Sequence, residues 1–170
     1  EQLVADCLDV IDNIYKNDYQ KHKKYLRELT QKALKLALSS VSDEETLAVL
    51  GEGWVAEETW AIALYCAVRY INSPEQAIIA SVNHDGDSDS TGSVTGNIIG
   101  AIYGYNYIKE RNLLCPDGCK IEQTLELANI ILTIADDLTT SCIISEYDYH
   151  DTPEKQQWFD RYCEHLPAGV

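Results

Sequence analysis

Asp85, Asp87 and Asp89 alternate with Gly86, Ser88 and Ser90 inside residues 83–104, NHDGDSDSTGSVTGNIIGAIYG. Carboxylates two apart in a turn converge when the residues between them bend the chain, and hard divalent cations take such oxygen ligands. Solvation alone does not explain three acids so close together. Their mutual repulsion favours a counter-charge, and a following helix N-terminus supplies only about half a unit of it. The run therefore reads as a metal-binding turn that leads into a helix. The plain alternative is an N-cap cluster that holds no metal. His84, at the end of a helical pattern, reads as a capping or hydrogen-bonding group rather than a ligand.

Spacing removes two metal motifs. An EF-hand loop begun at Asp85 needs Gly sixth and Glu twelfth, where Ser90 and Gly96 stand. Asp87-Ser88-Asp89-Ser90-Thr91 satisfies the DxDxT of haloacid dehalogenase phosphatases, but that motif follows a buried strand, and here a helical pattern ends at Val82. Beyond the turn, Gly92, Gly96, Gly100 and Gly104 recur every fourth residue on one helix face. Each costs about 1 kcal/mol against Ala, so close approach of a second helix is expected to compensate.

The elements that must position this turn are all helical by period. Apolar residues at i, i+3, i+4 and i+7 predict helices over about residues 2–14, 25–38, 43–50, 56–71, 74–82, 91–107 and 121–138, and a short Pro153-led helix near Trp158. Ser42, three before Glu45, has capping-box spacing, and Ser73-Pro74 marks another start with Ser73 as N-cap. Residues 51–58, GEGWVAEE, form a loop-to-helix junction, where two glycines around an acid favour positive φ. Glu57 and Glu58 are the first-turn acids a helix dipole favours. Cys115-Pro116-Asp117-Gly118-Cys119 has no second ligand pair and reads as a turn with two bystander thiols. Asp136 and Asp137 read as surface acids on an amphipathic helix. No β-alternation is present, so the fold class is all-α, and 170 residues suit one domain over 1–170.

Thirteen Lys and Arg against twenty-eight Asp and Glu give a formal charge of −15. Such a chain repels nucleic acid and anionic membrane surfaces, and a bound divalent cation is its natural means of attracting an anionic ligand. No run approaches the ~18–20 apolar residues of a membrane span, and the N-terminal residues lack a signal-peptide pattern, so a cytoplasmic location is expected. Six cysteines are few for a disulfide scaffold of this length; Cys7, Cys66 and Cys142 lie in apolar helical patterns and read as reduced, small hydrophobes. The chain has no Met at all, so it is expected not to begin where its gene does.

VNHDGDSDSTGSVTGNIIGAIYG, with GEGWVAEETWAIALYCAVRY some thirty residues earlier, resembles the ADP-ribosylglycohydrolase family of the dinitrogenase-reductase-activating glycohydrolase type. The resemblance spans roughly residues 51–138 and implies a compact multi-helix bundle. It implies hydrolysis of the glycosidic bond between ADP-ribose and a protein side chain or related acceptor, with two Mg2+ or Mn2+ ions. By this resemblance Asp87 and Asp89 are carboxylate ligands and Ser90 a hydroxyl ligand. Asp85 falls one step outside the family motif, as a nearby acid in the substrate region or a helix cap. Gly53 and Trp54 belong beside the ligand, Trp54 either stacking on a base or ribose or stapling the helix start to the core. The family's first metal motif, a TDDT-type run with a nearby Glu, matches nothing before Asp85. The catalytic residues are thus expected in an N-terminal half outside this sequence, and the chain is expected to be a C-terminal portion that is inactive alone. A non-catalytic helical interaction module is the competing reading, and a homodimer in which a second copy completes the helical core is a third.

Overall fold

The computed structural model describes residues 2–13, 19–111 and 126–139. In chain order its helices are α1 (Gln2–Asn13), α2 (Gln20–Ala37), α3 (Asp43–Leu50), α4 (Ala56–Arg69), α5 (Pro74–Val82), α6 (Ser88–Glu110) and α7 (Ala128–Thr139). No strand occurs among the described residues, and the fold is all-α. Two compact units divide the chain, Glu1–Arg111 and Asn112–Val170; α1 to α6 lie in the first and α7 in the second. No helix among the described residues is long and apolar enough to cross a membrane.

In the first unit α4 is the axis. Residues 61–67 are buried without a break, and a helix that is buried all round belongs inside a core. Ala61, Ala63 and Ala67 are small enough to let neighbours close in, and α4 packs most extensively against α2 and then α6. Leu29, Ala33 and Ala37 form the buried stripe of α2 at four-residue spacing, and α3 adds Leu47 and Leu50 to the same cluster. Asp43 ties α3 to α4: its carboxylate accepts the Tyr65 hydroxyl at 2.5 Å and the Tyr70 hydroxyl at 2.5 Å. Burial, and then the bond to Asp43, push the Tyr65 phenol far up.

Local chemistry sets the element ends. Ser42 caps α3 by accepting from the Glu45 amide at 3.3 Å and gives its hydroxyl to Glu45 Oε2 at 3.2 Å, so the capping-box spacing yields the N-cap bond with a side-chain pair beside it. Ser73, expected as a side-chain cap, makes no such bond, and Pro74 at the first position carries that start instead. Helix α2 begins five residues before residue 25, since the Lys-rich segment lies on the exposed side of the helix. Helix α6 begins at Ser88 because Asp87 caps it. Within the second unit, residues 121–125 lie outside the described residues, as do the Cys115–Cys119 turn and the helix predicted near Trp158. Asp137 is only 9% exposed, which corrects its reading as a surface acid; one residue along a helix turns the side chain by about 100°, so Asp136 stays exposed beside it.

The glycine stripe is corrected in part. A Cβ on Gly92 would stand 2.6 Å from Val82 of α5, and one on Gly96 would meet Ile78 at an ordinary 3.9 Å. Gly100 has nothing within 4 Å, and Gly104 adopts φ 76°, ψ 159° and kinks α6. Two helices approach closely only near their crossing, so the small-residue requirement ends where α5 and α6 part. Gly100→Ala is therefore expected to stabilise the fold by about 0.5–1 kcal/mol and Gly104→Ala to destabilise it by about 1–2 kcal/mol, measured by urea unfolding.

Cys66 is a free, fully buried thiol, as its helical pattern predicts. Burial, with the Asp43 charge adding to it, pushes the thiol up to about 12. At pH 8 about one native molecule in ten thousand carries the thiolate there, so maleimide should leave Cys66 unmodified in the folded chain and label it in denaturant, read by peptide mass spectrometry.

Candidate functional site

Two loops build the site. The first, residues 51–55, links α3 to α4; the second, residues 83–87, links α5 to α6. Gly51 and Gly53 take φ values of 122° and 81°, which turn the first loop sharply. The Asp87 N–H then donates to the Glu52 carbonyl at 2.7 Å. Gly86 lies so close that a Cβ there would fall 1.9 Å from the Glu52 carbonyl oxygen. A Cβ on Gly53 would meet the Thr91 methyl at 2.9 Å from the other side. Backbone thus lies on backbone, and the two loops become one wall.

The acidic turn is held from beneath. The Gly86 N–H donates to His84 Nδ1 at 3.1 Å, so the ring proton sits on Nε2, which meets Thr91 Oγ1 at 2.9 Å. The buried Thr91 hydroxyl passes its own proton to the Ser81 carbonyl at 2.6 Å. Both His84 nitrogens are used in hydrogen bonds, the capping role its position suggested.

Asp87 and Asp89 converge on a single donor. The Ser90 N–H lies 2.7 Å from Asp89 Oδ1 and 3.3 Å from Asp87 Oδ1. Asp87 is held below the usual carboxylate range, first by hydrogen bonding with the Asp89 side chain and then by Ser90. Two carboxylates that meet at one N–H lie near enough to each other to share one cation. The donors are all oxygen, which suits Mg2+ or Mn2+ rather than a thiolate- or imidazole-seeking metal. No group of three or more His, Cys, Asp or Glu side chains with metal-site geometry occurs among the described residues. Asp87, Asp89 and Ser90 thus supply three neighbouring oxygen donors, short of a complete ligand set for a hard cation.

These side chains open onto a cleft of about 850 Å³. Gly53, Trp54, Thr59 and Trp60 line it from the α4 side, and Asp87, Asp89, Ser90, Ser93 and Val94 from the α6 side. Five of the six residues singled out in the sequence thus share one hollow. Trp54 is 66% exposed and donates its indole N–H to Glu52 Oε2 at 3.1 Å, so it is a rim residue and not a staple onto the core. The sixth, Asp85, lines a separate hollow of about 710 Å³ with Asp43, Glu44, Tyr70 and Gln76. The sequence reading passed over Thr59, Trp60, Ser93 and Val94. Ser93 and Val94 follow Ser90 at three and four positions, so extending the helical period from the turn would have found them. Thr59 is buried and gives its hydroxyl to the Gly53 carbonyl at 2.7 Å.

The ADP-ribosylglycohydrolase family model matches residues 1–143. The chain belongs to the ADP-ribosylglycohydrolase family. The match begins well before residue 51, so α1 to α3 belong to the family unit along with the two glycine-rich stretches. Human ADP-ribosylhydrolase ARH3 is 30% identical over 124 residues, covering 65% of this chain and 32% of that protein. The bovine ADP-ribosylhydrolase ARH3 is 28% identical over 124 residues and the mouse protein 30% over 120, with the same coverage. The chain spans about a third of the length of these relatives. No solved structure matches it.

Gly86 is the position on which the junction between the two loops turns. Gly86→Ala is expected to push the acidic turn off the Glu52 carbonyl and destabilise the first unit by about 3 kcal/mol, measured by thermal unfolding followed by circular dichroism.

Proposed function

We propose that this chain contributes the acidic metal turn and one wall of the ligand cleft to a metal-dependent ADP-ribosylhydrolase, one that cleaves the glycosidic bond between ADP-ribose and a protein side chain or related acceptor. The observation that carries this reading is the union of both glycine-rich stretches in one cleft, with Gly53 and Trp54 facing Asp87, Asp89 and Ser90. Asp87 and Asp89 would hold Mg2+ or Mn2+ through their carboxylates, and Ser90 through its hydroxyl. When bound, such an ion offsets diphosphate charge, orients sugar hydroxyls and lowers the pKa of a water. Trp54 offers an exposed ring on the cleft rim, suited to stacking on a base or ribose. The N-terminus of α6 adds its partial positive charge beneath the carboxylates, which suits a ligand whose own charge is negative.

One observation favours a second reading, a helical interaction module without catalysis. Two carboxylates and a hydroxyl make an incomplete set, and no third titratable ligand joins them among the described residues. A calorimetric titration separates the two. A hydrolase portion binds Mn2+ weakly, on the order of millimolar, and ADP-ribose only when Mn2+ is present; a module binds neither. Asp87→Asn with Asp89→Asn is expected to lower Mn2+ affinity at least about tenfold, and Asp85→Asn to leave it within about twofold. The 170-residue chain alone is expected to release no ADP-ribose from a modified protein, and robust release would overturn the assignment of its catalytic residues to a part beyond this sequence.

A further inference from the structure

The cleft chemistry leaves one carboxylate without a role. Glu58, half-buried in the first turn of α4, turns back over residues 51–54. Its Oε2 accepts the Glu52 N–H at 3.1 Å and the Gly53 N–H at 3.2 Å. Its Oε1 takes the Tyr25 hydroxyl from α2 at 3.3 Å. A Cβ on Gly51 would stand 2.4 Å from the Glu58 carboxyl carbon, so glycine is what leaves room for that group. The helix dipole favours an acid anywhere in this turn, yet the neighbouring Glu57 faces His22 instead, 2.7 Å away. Reach, and not charge alone, distinguishes Glu58.

The loop that Glu58 holds makes both junctions of the site. Its Glu52 carbonyl meets the Asp87 N–H, and its Gly53 carbonyl meets the Thr59 hydroxyl, each at 2.7 Å. We infer that Glu58 is a positioning residue: its two bonds to loop amides set the register in which residues 51–54 meet the acidic turn and present Trp54 to the cleft. The inference rests on the proposed function for the meaning of that cleft. Glu58 lies outside the cleft lining and acts through the loop.

Amide exchange followed by NMR on the full 170-residue chain tests this with two variants. Glu58→Gln keeps the reach and an acceptor oxygen but loses the charge; Glu58→Asp keeps the charge and loses one methylene of reach. Exchange at Glu52 and Gly53 should stay within about twofold of wild type in the Gln variant and become on the order of tenfold faster in the Asp variant, with Asp87 following. Residues 61–67 of α4 should keep wild-type protection in both, which a general loss of stability would not allow. ADP-ribose affinity measured with Mn2+ present should follow the same order, held in the Gln variant and reduced in the Asp variant. Wild-type exchange in the Asp variant would overturn the inference, as would equal loss in the Gln variant or loss spread across residues 61–67. If wild-type chain binds no ADP-ribose while the exchange pattern holds, the proposed function falls and the hold of Glu58 on the loop stands.

Discussion

The hydrogen bond from the Asp87 amide to the Glu52 carbonyl is the constraint around which the first unit is arranged. At 2.7 Å it joins two loops that are 35 residues apart in sequence, and it forms only because Gly86 has no side chain to hold them apart. Each loop also has its own internal supports. Two glycines with positive φ and the Glu58 carboxylate shape one; His84 and Thr91 shape the other from below. A loop pair built this way fixes the backbone that carries the Asp87 and Asp89 carboxylates from both sides.

The helices serve that junction. The buried run of α4 brings α2, α5 and α6 around one axis, so the start of α4 and the start of α6 border the same cleft. Asp43 fastens α3 to α4 through two tyrosine hydroxyls, and the end of α3 delivers Gly51 into the first loop. Buried hydroxyls are a recurrent device here: Thr30, Thr91 and Thr95 each donate to a backbone carbonyl, which satisfies a polar group that burial would otherwise penalise.

Much of the site was legible residue by residue. Alternating acids with hydroxyls between them mark an oxygen-donor turn whatever surrounds it, whereas Gly53 and Trp54 were placed beside the ligand by the family resemblance and not by their own spacing. Asp85 shows the limit: it has the same spacing as its neighbours, yet Gly86 turns the chain and Asp85 lines a different hollow. The glycine stripe shows another. Four-residue spacing places Gly92, Gly96, Gly100 and Gly104 on one face, but only a crossing partner decides which of them is under compression.

By itself the sequence determined the helical class, most helix positions, the N-cap at Ser42 and the place of the acidic turn at a helix start, because each of these depends on residues within one or two turns of each other. Tertiary structure alone decided that Glu58 braces the 51–54 loop, that Trp54 stands at a rim, that Asp137 is buried in the second unit and that two distant loops form one wall. The wall rests on a contact between loops 35 residues apart, and the Glu58 bonds, though only five and six residues long, depend on the backbone path that the positive-φ glycines set; no periodicity records which backbone atoms will meet.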